Sequence, residues 1–270
     1  MSTAGTTASI IFIMNGKYYT GHVGDSRIIL VRENKTNKNW ESFPLTRDHK
    51  PNAPEERARI ERAGGKVINK SGVSRVVWKR LKYNVTPSPL GTPPPSDFDV
   101  IPFLAVARAL GDLWSYNKRR DLFIVSPEPD VKCVPITASD QCLILATDGL
   151  WNMMNNQAAV NHVKCFEKEN TDETQYTSWD SSSGQLSHSA YLVEHCMKKW
   201  SKTRYRADNI TVISVLLDID QSKKKMNDPT NYSRSNVDDE GNFFCPNLIG
   251  RMFQHSDGLF LLFYFCLNFF

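Results

Sequence analysis

The chain has 270 residues, of which 40% are hydrophobic, and this is enough to bury a full core in one large domain or two small ones. Its 33 Lys and Arg residues nearly balance 29 Asp and Glu residues, so the charge balance gives no sign of a nucleic-acid-binding protein. Six cysteines without paired metal-binding spacing indicate reduced thiols, and therefore a protein of the nucleus or cytoplasm.

The N-terminal residues predict an antiparallel meander. Residues 7–14 are rich in Ile and have the composition of a buried strand, and the Asn-Gly pair at 15–16 is a strong signal for a two-residue hairpin. Residues 17–23 would then pair back on the first strand. A third strand over 27–32 follows a polar turn that contains Asp25.

The middle of the chain predicts a helix, a short hairpin and an insertion. Residues 54–63 start with Pro, carry acids in the first turn and end at two glycines, which is typical of a short helix. Short strands are expected over 67–69 and 75–79. Five prolines within 87–95 exclude a helix or a central strand, so about 83–102 is expected to be an exposed insertion.

The C-terminal half returns to regular structure. Residues 141–147 predict a buried strand and residues 150–166 a helical region. The Ser/Thr-rich stretch 169–189 predicts a loop, apolar residues at helical spacing follow it, and residues 208–217 predict a last strand. Strands and helices are segregated rather than alternating, so the expected class is α+β, an antiparallel β-sandwich flanked by helices.

The chain divides into two predicted regions. Residues 1–218 hold all the regular patterns, whereas residues 219–270 predict a disordered tail with an atypical apolar end. That end, 259–270, is shorter than the ~20 residues that a membrane-spanning helix needs, which argues against a membrane protein.

Three aspartates stand where an apolar strand meets a turn: Asp25, Asp148 and Asp208. A short carboxylate at the end of a buried strand faces the rim of the sheet, where several such groups form an all-oxygen site for hard divalent cations. Taken singly, each aspartate also fits ordinary turn or capping chemistry. Together they predict part of a two-metal hydrolase site.

The motifs around these aspartates resemble those of the metal-dependent type-2C protein serine/threonine phosphatases, a family also called PPM. Seven strings occur in the order of that family: Gly-Thr-Thr-Ala at 5–8, Gly-Asp-Ser-Arg at 24–27, Leu-Thr-Arg-Asp-His-Lys-Pro at 45–51, Glu-Arg-Ala-Gly-Gly at 61–65, Leu-Ala-Val-Ala-Arg-Ala-Leu-Gly-Asp at 104–112, Thr-Asp-Gly-Leu-Trp at 147–151 and Ala-Asp-Asn-Ile-Thr at 207–211. The resemblance implies hydrolysis of phosphoserine and phosphothreonine in proteins by water activated at a two-metal centre.

The same resemblance assigns metal ligands. Asp148 and Asp208 match ligands of the second of two core Mg²⁺ or Mn²⁺ ions, and Asp25 matches a ligand of a weaker third ion. Asn152 stands where the family often has a further Asp, which puts the third ion in question.

Residues 69–80 and 107–116 are similar to the 1D (delta) branch of the family, which switches off DNA-damage signalling. That branch has a basic, proline-rich insertion beside its active site. The likeness predicts a flap that contacts phosphoprotein substrates through five basic residues: Lys70, Arg75, Lys79, Arg80 and Lys82.

One departure from the family pattern is an absence. The Asp-Gly-His-Gly-Gly motif, whose Asp bridges the two core metals in the family, does not occur in this sequence. The sequence is therefore expected to be N-terminally truncated, to lack the first strands of the sandwich, and to be inactive or nearly so. Two alternatives stay open: a catalytically inactive phosphatase-like protein that binds phosphoproteins or partners, and an adaptor or membrane-anchored module that uses the C-terminal tail.

Overall fold

A computed structural model of the chain describes residues 3–82, 94–170, 187–203, 207–217, 242–243, 252–255 and 258–265. Four α-helices lie in these ranges: α1 Pro54–Arg62, α2 Asp148–Trp151, α3 Asn156–Asn170 and α4 His188–Trp200. No helix in the described part of the chain is long and apolar enough to cross a membrane.

The strands are mostly short and follow one another closely along the chain. In order they are β1 Gly5–Met14, β2 Lys17–Val23, β3 Arg27–Glu33, β4 Trp40–Pro44, β5 Val67–Lys70, β6 Val73–Leu81, β7 Phe98–Pro102, β8 Leu110–Gly111, β9 Tyr116–Asn117, β10 Leu122–Phe123, β11 Asp130–Pro135, β12 Asp140–Ala146, β13 Val212–Leu216, β14 Asn242–Phe243, β15 Met252–His255 and β16 Gly258–Phe265.

The strands form two large sheets and two small ones, and neighbouring strands pair antiparallel. The first large sheet has the order β11-β2-β1-β16-β15-β14, with β8 pairing at the start of β1. The second has the order β13-β12-β3-β4. Strands β5, β6 and β7 form a separate three-stranded sheet, and β9 pairs with β10. This is the mixed α+β class with antiparallel sheets that the sequence predicts.

The strands β3 and β12 at the centre of the second sheet are buried on both faces. Ile28 and Leu30 of β3 pack toward β1 and β2 of the first sheet, whereas Ile29 and Val31 pack toward α2, α3 and α4. Side chains alternate between the faces of a strand, so one continuous apolar run serves both contacts. The result is a sandwich of two sheets with helices on the outer face of the second sheet.

A third apolar cluster lies beneath the sheet of β5, β6 and β7. Trp78 of β6 contacts Trp114 and Phe103, with ring centroids 5.7 and 5.3 Å apart. Ile60 of α1 and Val76 of β6 are fully buried in the same cluster. The cluster therefore joins α1 and the small sheet to the segment that precedes β8.

Several elements differ from the prediction. The helical region expected over 150–166 is two helices, because the chain leaves α2 after Trp151 and starts α3 at Asn156. The predicted insertion at 83–102 ends in strand β7, which pairs with β6, and only residues 83–93 of it fall outside the described residues. Strand β4 was not expected at all.

The expectation of disorder over 219–270 falls mostly on residues outside those described. The described stretches there form β14, β15 and β16, and β16 pairs with β1 from Thr7 opposite Phe265 to Ile13 opposite Leu259. These stretches differ from the predicted disorder because an apolar segment can add a strand to an open sheet edge.

Candidate metal centre

Asp25 occupies the turn between β2 and β3 and is only 3% exposed. One carboxylate oxygen, Oδ2, pairs with the ammonium of Lys50, while Oδ1 is buried and has no hydrogen-bond partner among the described residues. Burial raises the pKa of Asp25, and Lys50 opposes that rise. A buried carboxylate oxygen without a donor is energetically unfavourable, and it marks a place where a cation would be stabilised.

Asp148 begins α2 at the point where β12 ends. Burial raises its pKa to about 6, and the charges of Asp25 and Asp208 add to that rise. Asp148 therefore lies within reach of the charges of both other aspartates that the sequence singles out. Like charges held together in a partly buried site repel, and a divalent cation relieves that repulsion.

Asp208 lies in the segment that leads into β13, and its position depends on Thr147. The backbone N–H of Thr147 donates to the carbonyl of Thr211 at 3.1 Å, and the N–H of Thr211 donates to Oγ1 of Thr147 at 3.1 Å. The same hydroxyl donates to the carbonyl of Asn209 at 3.1 Å. These bonds hold the chain that carries Asp208 beside the chain that carries Asp148.

The donor set fits a hard divalent cation. The three carboxylates supply only oxygen atoms, the ligands that Mg²⁺ and Mn²⁺ prefer. Lys50 is the one cation that the described contacts place on the cluster: burial disfavours its ammonium, but Asp25 outweighs this and raises the pKa of Lys50. Asn152 donates from Nδ2 to Oδ2 of Asp148 at 3.3 Å and so orients that carboxylate.

A second group of metal-ligating residues, His22, His49 and Asp130, has ligand atoms within 4.8 Å of one another. The two imidazole rings are stacked, with centroids 4.4 Å apart and planes only 7° from parallel. Imidazole lone pairs lie in the ring plane, and two nearly parallel planes do not meet at a common ion. In addition, Nδ1 of His49 accepts from the backbone N–H of Gly24 at 3.1 Å, so the lone pair of that nitrogen is already used and the neutral ring carries its proton on Nε2, which faces Asp130. This group does not fit a shared metal.

An open cavity of about 760 Å³ lies beside His22 and Asp130. Arg27 lines it and donates two hydrogen bonds to Asp48, at 2.8 and 2.7 Å, and one to Asn156 at 2.7 Å. The same guanidinium lies 5.1 Å from the ring centroid of Trp151. Arg27 therefore ties β3 to the end of α2 and the start of α3.

The five predicted substrate-binding residues lie in or next to the small sheet of β5, β6 and β7. Lys70, Lys79 and Lys82 are exposed. The side chain of Arg80 is not among the side chains that the structure describes. Arg75 differs, because its guanidinium donates to the carbonyl of Phe103 at 2.7 Å. Within the described contacts, no hydrogen bond or ion pair joins these basic residues to the three aspartates.

Lys50 is a site residue that the sequence analysis missed, and the same holds for its neighbour His49, which bonds Gly24 directly before Asp25. Both lie in the string at 45–51, which is part of the resemblance to the family. The signal was Lys50 itself, because a lysine in a polar string near predicted carboxylate ligands is a candidate counter-ion.

Comparison with known proteins gives a consistent result. The family model described as "Protein phosphatase 2C" matches residues 1–202. The chain is 37% identical over 155 residues to "Protein phosphatase 2C 16" of Arabidopsis thaliana, covering 57% of this chain and 23% of that protein. It is 33% identical over 223 residues to "Protein phosphatase 2C 53" of Oryza sativa subsp. japonica, covering 79% and 40%.

The fold gives the same answer. The solved "serine-threonine phosphatase 2C from Toxoplasma gondii" superposes with a TM-score of 0.57 at 25% identity, covering 79% of this chain and 59% of that one. The chain spans less than half the length of the two plant relatives. Three carboxylates at one rim of an antiparallel sandwich, seven motifs in order and the match over residues 1–202 lead to one conclusion: this chain belongs to the protein phosphatase 2C family.

Proposed function

We propose that the chain carries part of the catalytic centre of a protein serine/threonine phosphatase that depends on Mg²⁺ or Mn²⁺. One observation carries the proposal. Asp25, Asp148 and Asp208 come from three separate parts of the chain, yet the first and last of them raise the pKa of Asp148. Membership of the protein phosphatase 2C family supplies the reaction class.

Asp148 and Asp208 would hold a core ion and Asp25 a weaker one. Ions bound there would supply an activated water for attack on phosphorus and would neutralise charge on the phosphoryl group. The chain's own residues prepare the site: Lys50 balances the charge of buried Asp25, and Asn152 orients Asp148.

Phosphoprotein substrates are proposed to approach over the small sheet. Lys70, Lys79 and Lys82 are exposed cations there, and exposed lysines attract acidic phosphopeptides at a distance set by salt screening. Arg75 is better explained as a structural residue, because its guanidinium is engaged by the backbone of Phe103.

The narrower assignment to the 1D (delta) branch, with a role in DNA-damage signalling, is supported by the strings at 69–80 and 107–116. It predicts faster turnover of phosphopeptides from damage-signalling proteins than of unrelated phosphopeptides with equal charge. A location in the nucleus or cytoplasm, supported by the reduced-thiol pattern of the cysteines, is tested by imaging a fluorescent fusion.

The central test measures both Mn²⁺ binding and phosphopeptide turnover for the full chain and for Asp148→Asn and Asp208→Asn. These substitutions keep the shape of the side chain and remove its charge. The control is Asp121→Asn, at an exposed aspartate outside the cluster. We expect both site variants, but not the control, to lose Mn²⁺ affinity at least tenfold and to lose any turnover with it.

Two other outcomes of this test would each contradict a different part of the proposal. Metal binding that depends on the aspartates, without turnover, would favour a phosphatase-like protein that binds phosphoproteins. Equal Mn²⁺ affinity in all four proteins would reject the carboxylate cluster as the metal site.

A further inference from the structure

His49 is bonded at two points to Gly24, the residue directly before Asp25. The backbone N–H of His49 donates to the carbonyl of Gly24 at 2.9 Å, and the N–H of Gly24 donates back to Nδ1 of the imidazole at 3.1 Å. The next residue, Lys50, holds the carboxylate of Asp25. His49 and Lys50 thus hold Gly24 and Asp25, respectively, in the turn between β2 and β3.

The turn between β2 and β3 contains a residue with a positive φ angle. Gly24 has a φ of +105°, which side chains rarely allow, and a β-carbon there would lie 2.3 Å from Cγ2 of Thr7. Glycine takes this φ without steric cost but takes many others as readily, so contacts with the surroundings must select it. The bonds to His49 supply part of that constraint, and they act directly on the peptide that carries Asp25.

The imidazole is itself held in the one form that can accept this bond. His49 is 3% exposed, and its Nε2 lies 3.2 Å from Oδ2 of Asp130, although the alignment falls short of a full hydrogen bond. Because Nδ1 accepts from Gly24, the ring proton of neutral His49 must be on Nε2, facing Asp130. Burial and the neighbouring His22 lower the pKa of His49, so the lone pair on Nδ1 is present at neutral pH.

Asp130, which faces Nε2 of His49, is itself held in place by Arg108. Arg108 donates to Oδ1 of Asp130 at 2.8 Å and, through Nε, to Oε1 of buried Glu56 at 2.8 Å. The backbone of His49 is tied as well, because the N–H of Ala107 donates to its carbonyl at 2.8 Å. The imidazole therefore has little freedom to turn away from Gly24.

We propose that His49 is a positioning residue for the metal centre, whose Nδ1 fixes the amide of Gly24 and thereby the direction in which Asp25 presents its carboxylate. The inference rests on the proposed function, in which Asp25 is a metal ligand. His49 binds neither the ion nor the substrate in this account. It acts through the backbone.

Two substitutions separate this role from a general structural one. In His49→Asn, the side-chain oxygen stands near the position of Nδ1 and still accepts from Gly24. In His49→Gln, the amide reaches the position of Nε2 and leaves the Gly24 N–H without its acceptor. Both variants are neutral and polar, so they differ mainly in this one bond.

Mn²⁺ affinity of the full chain, measured by calorimetry at pH 7.5, is the first readout. We expect His49→Asn to stay within about twofold of the wild type and His49→Gln to bind about five to ten times more weakly, about the value of one hydrogen bond. Equal affinities for His49→Gln and wild type, or equal losses in both variants, would overturn the proposal.

The second readout needs no variant and therefore does not depend on folding of the mutants. A through-hydrogen-bond ¹⁵N–¹⁵N coupling between the Gly24 amide and His49 Nδ1 is expected in the labelled wild-type protein, and its absence would overturn the geometry. Asp25→Asn is measured in parallel. If it leaves Mn²⁺ affinity unchanged, the proposed ligand role of Asp25 fails and the premise here with it. If it weakens binding but His49→Gln does not, only the present inference fails.

Discussion

Gly149 lies so close to the backbone of Asn209 that a β-carbon on it would stand 2.2 Å from the Asn209 carbonyl oxygen. The contact brings the residue after Asp148 against the residue after Asp208. Two backbones can approach in this way only where one side chain is missing. The distance between the two carboxylates is therefore set by a glycine that has no chemistry of its own.

The first prediction concerns this contact. Gly149→Ala should push the 208–210 segment away from α2 and weaken Mn²⁺ binding at least tenfold, with a loss of about 1–3 kcal/mol in the free energy of unfolding, as is typical of overpacking. Urea denaturation and Mn²⁺ titration measure the two effects. Gly21→Ala is the control, because a β-carbon there meets nothing within 4 Å. Unchanged Mn²⁺ affinity in Gly149→Ala would show that the segment adjusts freely.

The second prediction follows from the pKa of Asp148, which burial and the charges of Asp25 and Asp208 raise from its ordinary value of 3.8 to about 6. A carboxyl group with a raised pKa in the folded state favours folding while protonated, and that contribution is lost as pH rises through about 6. The metal-free protein should therefore become less stable between about pH 4 and pH 7. Two pKa units correspond to at most about 3 kcal/mol.

Asp148→Asn tests this directly. At pH 7.5 without metal, the variant should unfold at a higher temperature than the wild type, because it cannot ionise. Saturating Mn²⁺ should reverse the order, since only the wild type gains from binding the ion. Asp121→Asn should behave like the wild type at each pH. A wild type that is more stable than Asp148→Asn without metal would contradict the predicted repulsion.

The third prediction separates two basic residues of the small sheet. Lys79→Ala should weaken binding of an acidic phosphopeptide severalfold, less so at high salt, and leave the unfolding midpoint nearly unchanged. Arg75→Ala should instead lower stability by about 1–3 kcal/mol, because the carbonyl of Phe103 loses its donor. Lys35→Ala, in an exposed loop, is the control for total charge. Equal losses of phosphopeptide affinity in Lys79→Ala and Lys35→Ala would show that Lys79 is not part of the binding surface.

Local sequence was sufficient to predict an element where the residues of that element, or of its turn, determine its structure. The Asn-Gly pair at 15–16 has positive φ values of 50° and 70°, as a tight hairpin requires, and β2 has the predicted bounds Lys17–Val23. The three aspartates could be singled out because each stands where an apolar strand meets a turn and lies in one of the strings at 24–27, 147–151 and 207–211. In these cases the pattern and its cause lie within a few residues.

Local sequence failed where the partner lies far away. Trp40–Pro44 is half polar, and it becomes strand β4 because β3 offers it a free edge. Phe98–Pro102 follows a proline-rich stretch, and its pairing with β6 outweighs that local signal. The pairing of Lys50 with Asp25 depends on the fold and has no signature in residue spacing.

Strand β1 lies between two partners of very different origin. On one side it pairs with β2 through a two-residue turn, and on the other with β16 from the opposite end of the chain. In such a hairpin the residues that flank the turn form a hydrogen-bonded pair, so alternate N–H groups of β1 face alternate neighbours. The N–H groups of Phe12 and Ile10 should therefore face β2, and those of Ile13 and Ile11 should face β16.

This arrangement separates the exchange behaviour of adjacent amides. A local hairpin reopens rarely without unfolding the sheet, whereas a distant terminal strand can detach by itself. In a hydrogen–deuterium exchange experiment read by NMR, Phe12 and Ile10 should stay protected after Ile13 and Ile11 have exchanged. The protection pattern of one strand would thus report, residue by residue, how long the far end of the chain stays attached.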